Sequence, residues 1–194
     1  MVEARNALQL ALRTMGVPRA HELLKQLARV PKDIRALIQG AGITGDSHYV
    51  PWLIGQMDDV KLARLAGEAF SFITGLDLAY LDLELRPPEG VDFGPTDDPD
   101  DDDVAMDVDD SLPWPDSAKI QAWWSVNAQR FPPGMRHFMG APVTAENCRQ
   151  VLREGFQRQR VAAAHYLCLL EPGTALVNTA APAWRQQRWV TKAG

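Results

Sequence analysis

Cysteine is nearly missing from this chain: Cys148 and Cys168 are the only two, too few for the disulfide framework that holds small secreted domains together. Both fall on predicted helices, which fits free thiols in a reducing compartment. Long apolar runs are missing as well. None approaches the roughly 18 to 20 residues needed to cross a bilayer, and residues 1–16 lack the basic head and continuous apolar core of a signal peptide. The expectation is a soluble, cytoplasmic protein with no membrane association. Catalytic signatures are missing too: there is no Gly-x-Ser-x-Gly turn, no glycine-rich loop followed by Lys and Ser or Thr, and no dinucleotide fingerprint. His21, His48, His137 and His165 are scattered, and the spacing of His165 and Cys168 supplies two metal ligands where a site needs more. These absences predict no catalytic residue, no metal, no cofactor and a protein that is not an enzyme.

What is present is unevenly charged. The net charge of −5 hides a near-neutral first half, nine aspartates without a base over residues 97–110, and a carboxy-terminal part with 10 basic and 4 acidic side chains. The acidity therefore belongs to one connector.

The most regular stretch is residues 58–75. Leu62, Leu65, Ala66, Ala69, Phe70 and Ile73 recur at helical spacing on one face, with Lys61, Arg64, Glu68 and Ser71 opposite. Gly75 ends that helix, and counting back, similar ends fall at Gly45 and Gly16, a recurrence of about 30 residues. Such a period predicts stacked helical hairpins, each unit relying on its neighbours to cover its apolar face.

Taken in order, residues 3–15 place Ala4, Ala7, Leu8, Ala11 and Met15 on one stripe, and Pro18 opens a helix with Ala20, Leu23, Leu24 and Leu27 inward. Pro31 breaks the chain before a helix carrying Ile34, Leu37, Ile38 and Ala41. Asp46 or Ser47 then caps a helix with Val50, Leu53, Ile54 and Met57 inward. The alternating string at residues 76–85 reads as a short helix or turn, with a strand as the alternative.

Three segments follow: a helical repeat array over residues 1–86, an acidic, Pro- and Asp-rich flexible linker over 87–112, and a carboxy-terminal helical array over 113–194. The linker has too few apolar residues to offset its ordering entropy. In the last segment Asp116 and Thr144 are expected caps. Ile120, Trp123, Trp124 and Ala128 form one apolar face, Ala145, Cys148, Val151 and Leu152 a second, and Ala163, Ala164, Leu167 and Leu170 a third. A final helix opens near Pro182 with Trp184, Arg185, Arg188 and Trp189.

At LARLAGEAFSFITGLDL, with GDSHYVPWLIGQM before it and GFQRQRVAAAHYLCLLEPGTALVNTAAPAWRQQ after it, the chain resembles a proteobacterial HEAT-like repeat family without assigned activity, whose genes often lie near type VI secretion clusters. The resemblance spans nearly the whole chain. It implies an all-α, HEAT-like α-solenoid of stacked hairpins interrupted by the acidic linker, and a protein–protein role as adaptor or chaperone for a secreted effector. Members usually carry more chain ahead of the segment corresponding to Glu3, and the period here is shorter than the roughly 40 to 47 residues of standard HEAT units.

The expected function is a non-catalytic interaction scaffold whose partner is another protein, with Tyr49, Trp52, Trp123, Trp124, Arg158 and Arg160 as contact candidates. The alternative is a HEAT-like nucleic-acid-binding enzyme of the DNA glycosylase type, for which five of the six tryptophans and the basic carboxy-terminal part speak. Against it stands the aspartate run, which repels phosphate.

Overall fold

The computed structural model describes residues 2–29, 33–91, 94, 106–182 and 184–186. Among these the chain is mostly helical: α1 (Val2–Thr14), α2 (Val17–Ala28), α3 (Ile34–Thr44), a 3₁₀ turn at Ser47–Tyr49 running into α4 (Val50–Gln56), α5 (Ala63–Thr74), α6 (Ser117–Asn127), α7 (Ala145–Glu154) and α8 (Gln157–Leu170). Two short antiparallel ladders join them, β1 (Glu84–Leu85) with β2 (Trp114–Pro115), and β3 (His137–Phe138) with β4 (Ala141–Pro142). At the level of class the chain is mostly α-helical, as expected. The aspartates at 97–103, the break at Pro31, and Arg188 and Trp189 lie outside the described residues.

Side-chain caps start α6 at Asp116 and α7 at Thr144, as expected, and α3 at Asp33, a cap not among those expected. Asp33 accepts from the Ala36 amide at 3.1 Å, Asp116 from Lys119 at 3.0 Å and Thr144 from Asn147 at 3.1 Å, each satisfying a backbone donor the helix itself leaves free. Pro18 and Pro51 sit in the first turns of α2 and α4, where a missing N–H costs little.

Helix α3 packs between α1 and α5, with α2 against α3, and α4 against α5 and α6. Gly42 makes the α3–α5 approach possible, because a Cβ there would meet the Ala69 Cα at 3.0 Å. The inward faces of α4 and α5 are the expected ones: Val50, Leu53, Ile54 and Met57, and Leu62, Leu65, Ala66, Ala69, Phe70 and Ile73, are all buried. Helix α1 differs. It buries Leu12 completely and leaves Ala7 exposed, because the larger apolar area of Leu8 and Leu12, one turn apart, sets the rotation of the helix against α3.

The opposite side of α5 is not a solvated face. Arg64 is 7% exposed, ion-paired with Asp107, donating to the Asp109 carbonyl at 3.0 Å and lying 4.6 Å below the Trp114 ring. Arg35 holds the Asp109 carboxylate at 2.6 Å. So the last part of the expected flexible linker, residues 106–112, is a docked turn. Two arginines outweigh its self-repulsion, and Asp109 is only 4% exposed. Burial pushes the Asp107 carboxyl up, but the Asp109 amide and the Arg64 guanidinium prevail and hold it below the usual carboxylate range.

Helix α6 belongs with the amino-terminal helices rather than with a separate array. Ile120, Trp124 and Phe131 share one buried cluster with Ile38, Leu53 and Phe70, and the β1–β2 ladder stitches residue 84 to residue 115. A second cluster is built from Phe138 and from α7 and α8, and a smaller third joins Leu12, Ala20, Leu24 and Ile43 of α1, α2 and α3.

One strap ties these parts together. Arg136 donates to the carbonyls of Leu12, Arg13 and Met15 at 2.7, 2.7 and 2.8 Å and to Thr44 at 3.2 Å. The His137 amide donates to the Gly45 carbonyl at 2.8 Å, Met139 to Phe72 at 2.7 Å and Gly140 to Ile73 at 3.1 Å. Residues 136–140 therefore cap the carboxy-terminal ends of α1, α3 and α5 in succession, with the guanidinium set against the negative ends of two helix dipoles. These are the three helix ends that the glycine period marks. Gly45 and Gly75 are alike, left-handed caps at φ +72° and +74°, each with a strap carbonyl where a Cβ would stand. Gly16 is not; it is extended, at φ −64°, ahead of α2.

Candidate functional site

The most developed concave feature runs along α5. One cavity of about 240 Å³ is lined by Gln9 and Arg13 of α1, Gln39, Gly42 and Ile43 of α3, Leu65, Glu68, Ala69 and Phe72 of α5, and Arg158 and Val161 of α8. A second, of about 540 Å³, continues past Ser71, Leu76, Asp77 and Glu84 to the docked turn at Asp110 and Leu112 and the start of α8 at Phe156. Glu68, Phe72 and Arg158 border both, so the two form one groove floored by α5.

Its chemistry is graded from end to end. At the α1 end, the Arg13 guanidinium has no carboxylate partner among the described residues; its Nε is buried and unbonded, and its contact is with the Tyr166 ring, 6.0 Å from the centroid. Burial draws the Arg13 pKa below its ordinary value, and the charge of Arg136 adds to this. His165 shows the same positive field: burial first, then Arg13, lowers its pKa. The Gln39 Oε1 is a buried acceptor without a donor. In the middle, Arg158 donates to Glu68 Oε2 at 3.1 Å and to the Val108 carbonyl. Burial pushes the Glu68 carboxyl up, and Arg158 pulls against it without prevailing. At the far end Asp77, Glu84 and Asp110 border the opening.

Of the six sequence-derived contact candidates, Arg158 lines this groove. Arg160 is turned away, donating to the Leu152 carbonyl at 2.9 Å and to Gln186. Trp124 is 8% exposed and packed on Phe131, and Trp123 lies against Phe70 and Phe131, which makes both part of the core between α4, α5 and α6. Trp52 packs against that same cluster.

Tyr49 belongs to a part-buried polar chain that the sequence does not announce. His21 Nε2 lies 2.9 Å from Asp46 Oδ2, and the Tyr49 hydroxyl 2.8 Å from His21 Nδ1. A carboxylate only accepts, so His21 Nε2 donates to Asp46, and Nδ1 shares the second hydrogen bond with the Tyr49 hydroxyl. Asp46 also accepts from the amides of His48 and Gly134, both at 2.9 Å. A nucleophilic tyrosine needs its hydroxyl pKa lowered. Here burial, then Asp46, pushes it up to about 12, and the chain acts as a strut joining α2, the α3–α4 junction and the loop at Gly134. His21 and Asp46 stand 25 residues apart on different elements, so no local spacing reveals them.

Compared with known proteins, the chain matches no family model, no curated protein and no solved structure. Among the described residues no group of three or more His, Cys, Asp or Glu is placed to hold a metal ion, and no helix is long and apolar enough to cross a membrane.

Proposed function

We propose that the chain is a non-catalytic, adaptor- or chaperone-like scaffold that holds an extended segment of another protein in the groove along α5. The observation that carries this is the joining of two cavities at Glu68, Phe72 and Arg158 into one elongated slot. A slot with an apolar floor and polar walls suits a polypeptide, whose backbone needs hydrogen-bonding partners along its length. The succession α1, α3, α5 on one side, with α2 and α4 behind, supports a HEAT-like stacking of hairpins. On the resemblance drawn from the sequence, the partner proposed is an effector of bacterial secretion or its chaperone. A nucleic-acid role is disfavoured by the acidic rim at Asp77, Glu84 and Asp110, which repels a phosphate backbone.

The test is affinity capture from lysate, with and without nuclease, using the wild-type chain and Ser71→Trp, which fills the slot from α5. A nuclease-resistant protein that is retained by the wild type and lost by the variant, at unchanged helicity, is the expected result. Salt-sensitive retention of DNA, or a partner held equally by both, contradicts the proposal.

A further inference from the structure

The two ends of the groove are unlike, and the difference has a direction. At the α1 end sits a guanidinium without a carboxylate partner among the described residues, and the same cavity is lined by Gln39, whose buried Oε1 lacks a donor. A part-buried cation whose Nε is buried and unbonded, and a buried acceptor without a donor, each cost free energy that a ligand can recover. The ligand that answers both carries a carboxylate for Arg13 and an N–H for Gln39, on neighbouring atoms. The last residue of a polypeptide has this pair: its α-carboxylate and its amide nitrogen. Ile43, Leu65 and Phe72 supply the apolar wall that its side chain meets, and a volume of about 240 Å³ suits one residue rather than several.

The other end has the opposite sign, with Asp77, Glu84 and Asp110 in its lining. An extended chain entering there with lysine or arginine and ending at Arg13 matches both ends at once. Entering the other way, it sets its carboxyl terminus among three acidic residues and its basic residues against Arg13.

We infer that the groove is a receptor for a protein carboxyl terminus, with Arg13 binding the terminal carboxylate, Gln39 the last amide and the acidic rim a basic residue upstream. The inference rests on the scaffold reading and names the part of the partner that the scaffold holds. A bidentate guanidinium–carboxylate pair is the stronger contact, and single pairs with the acidic residues add direction more than affinity.

The experiment uses a fluorescein-labelled hexapeptide of two lysines, three alanines and a terminal leucine, synthesised once with a free carboxylate and once as the amide. Fluorescence anisotropy with the full chain is expected to show the free acid bound at least about tenfold more tightly than the amide. Arg13→Gln abolishes that preference, and Arg13→Lys retains part of it. Because Arg13→Gln removes an unpaired cation, it leaves the melting temperature unchanged or raises it. The free acid raises the melting temperature of the wild type and not that of the variant. Glu84→Lys weakens this peptide and leaves an all-alanine version with the same terminal leucine unaffected. Equal binding of acid and amide, no binding of either, or a preference that survives Arg13→Gln overturns the carboxyl-terminus assignment. None of these outcomes alters the capture result with Ser71→Trp, so the two readings fail separately.

Discussion

The His137 amide donates to the Gly45 carbonyl across 2.8 Å, and its own carbonyl oxygen stands 2.3 Å from where a Cβ on Gly45 would be. A helix end and a strand residue 92 positions later thus occupy one another's only available space. The carbonyl approach recurs at Gly75 with Met139, which makes the strap a structural tie between the amino-terminal helices and the cluster of Phe138, α7 and α8.

Arg136 is the strap's charged anchor, and its loss leaves carbonyls of α1 and α3 without their donor. Arg136→Ala is expected to cost about 3 kcal/mol, lowering the melting temperature of a chain this size by about 6 to 12 °C. Lysine, a point charge without the planar fork, recovers less than half. A melting temperature within a degree or two of wild type, by calorimetry, contradicts the tie.

The three periodic glycines separate on substitution. Gly45→Ala and Gly75→Ala combine a left-handed backbone with a strap carbonyl within 2.5 Å of the new methyl group, so each loses about 2 to 4 kcal/mol. Gly16→Ala has its nearest neighbour at 4.0 Å and an ordinary φ, so it changes stability by less than about 0.5 kcal/mol. Equal losses at all three positions, measured by urea denaturation, contradict the distinction.

That contrast shows what was legible in the sequence. Periodicity finds the buried faces of α4 and α5 because one large apolar stripe dominates each, and Asp116 and Thr144 cap locally. The β3–β4 hairpin is hidden because its turn uses Met139 and Gly140, both at positive φ, where an Asn-Gly pair is the usual signal. Arg64 and Glu68 look like solvent-facing residues on a helix wheel. Their partners, Asp107, Asp109 and Arg158, lie 43 to 90 residues away, across a segment whose composition alone reads as mobile. The groove is a product of that docking and has no local pattern.

The docked turn yields its own test. Asp109→Ala leaves Arg35 without its carboxylate, and the arginine-held turn loosens, at an expected cost of about 3 kcal/mol. Asp110→Ala, at an exposed neighbour, costs less than about 0.5 kcal/mol. If the two variants melt together with the wild type, residues 106–112 are not docked.

Alkaline stability reports on the Tyr49 strut. The Tyr49 hydroxyl is pushed up to about 12 from 10, by burial first and Asp46 next. With the folded pKa above the unfolded one, its contribution is present in full below about pH 10 and lost as pH rises through about 12. Tyr49→Phe keeps the ring and removes that titration, so the fall in stability over this window becomes shallower. It does not vanish, because burial also raises Tyr166, and Cys148 to about 11. An unchanged slope contradicts the strut's role.

The most direct measurement of the central claim is amide hydrogen exchange on the full chain, free and with the partner recovered by affinity capture. Slowed exchange is expected along the groove walls, in α5 around Leu65 to Phe72 and at the start of α8 around Arg158, with the outer helices α2 and α4 unchanged. Protection confined to α2 and α4, with the groove walls exchanging as in the free protein, would contradict the account.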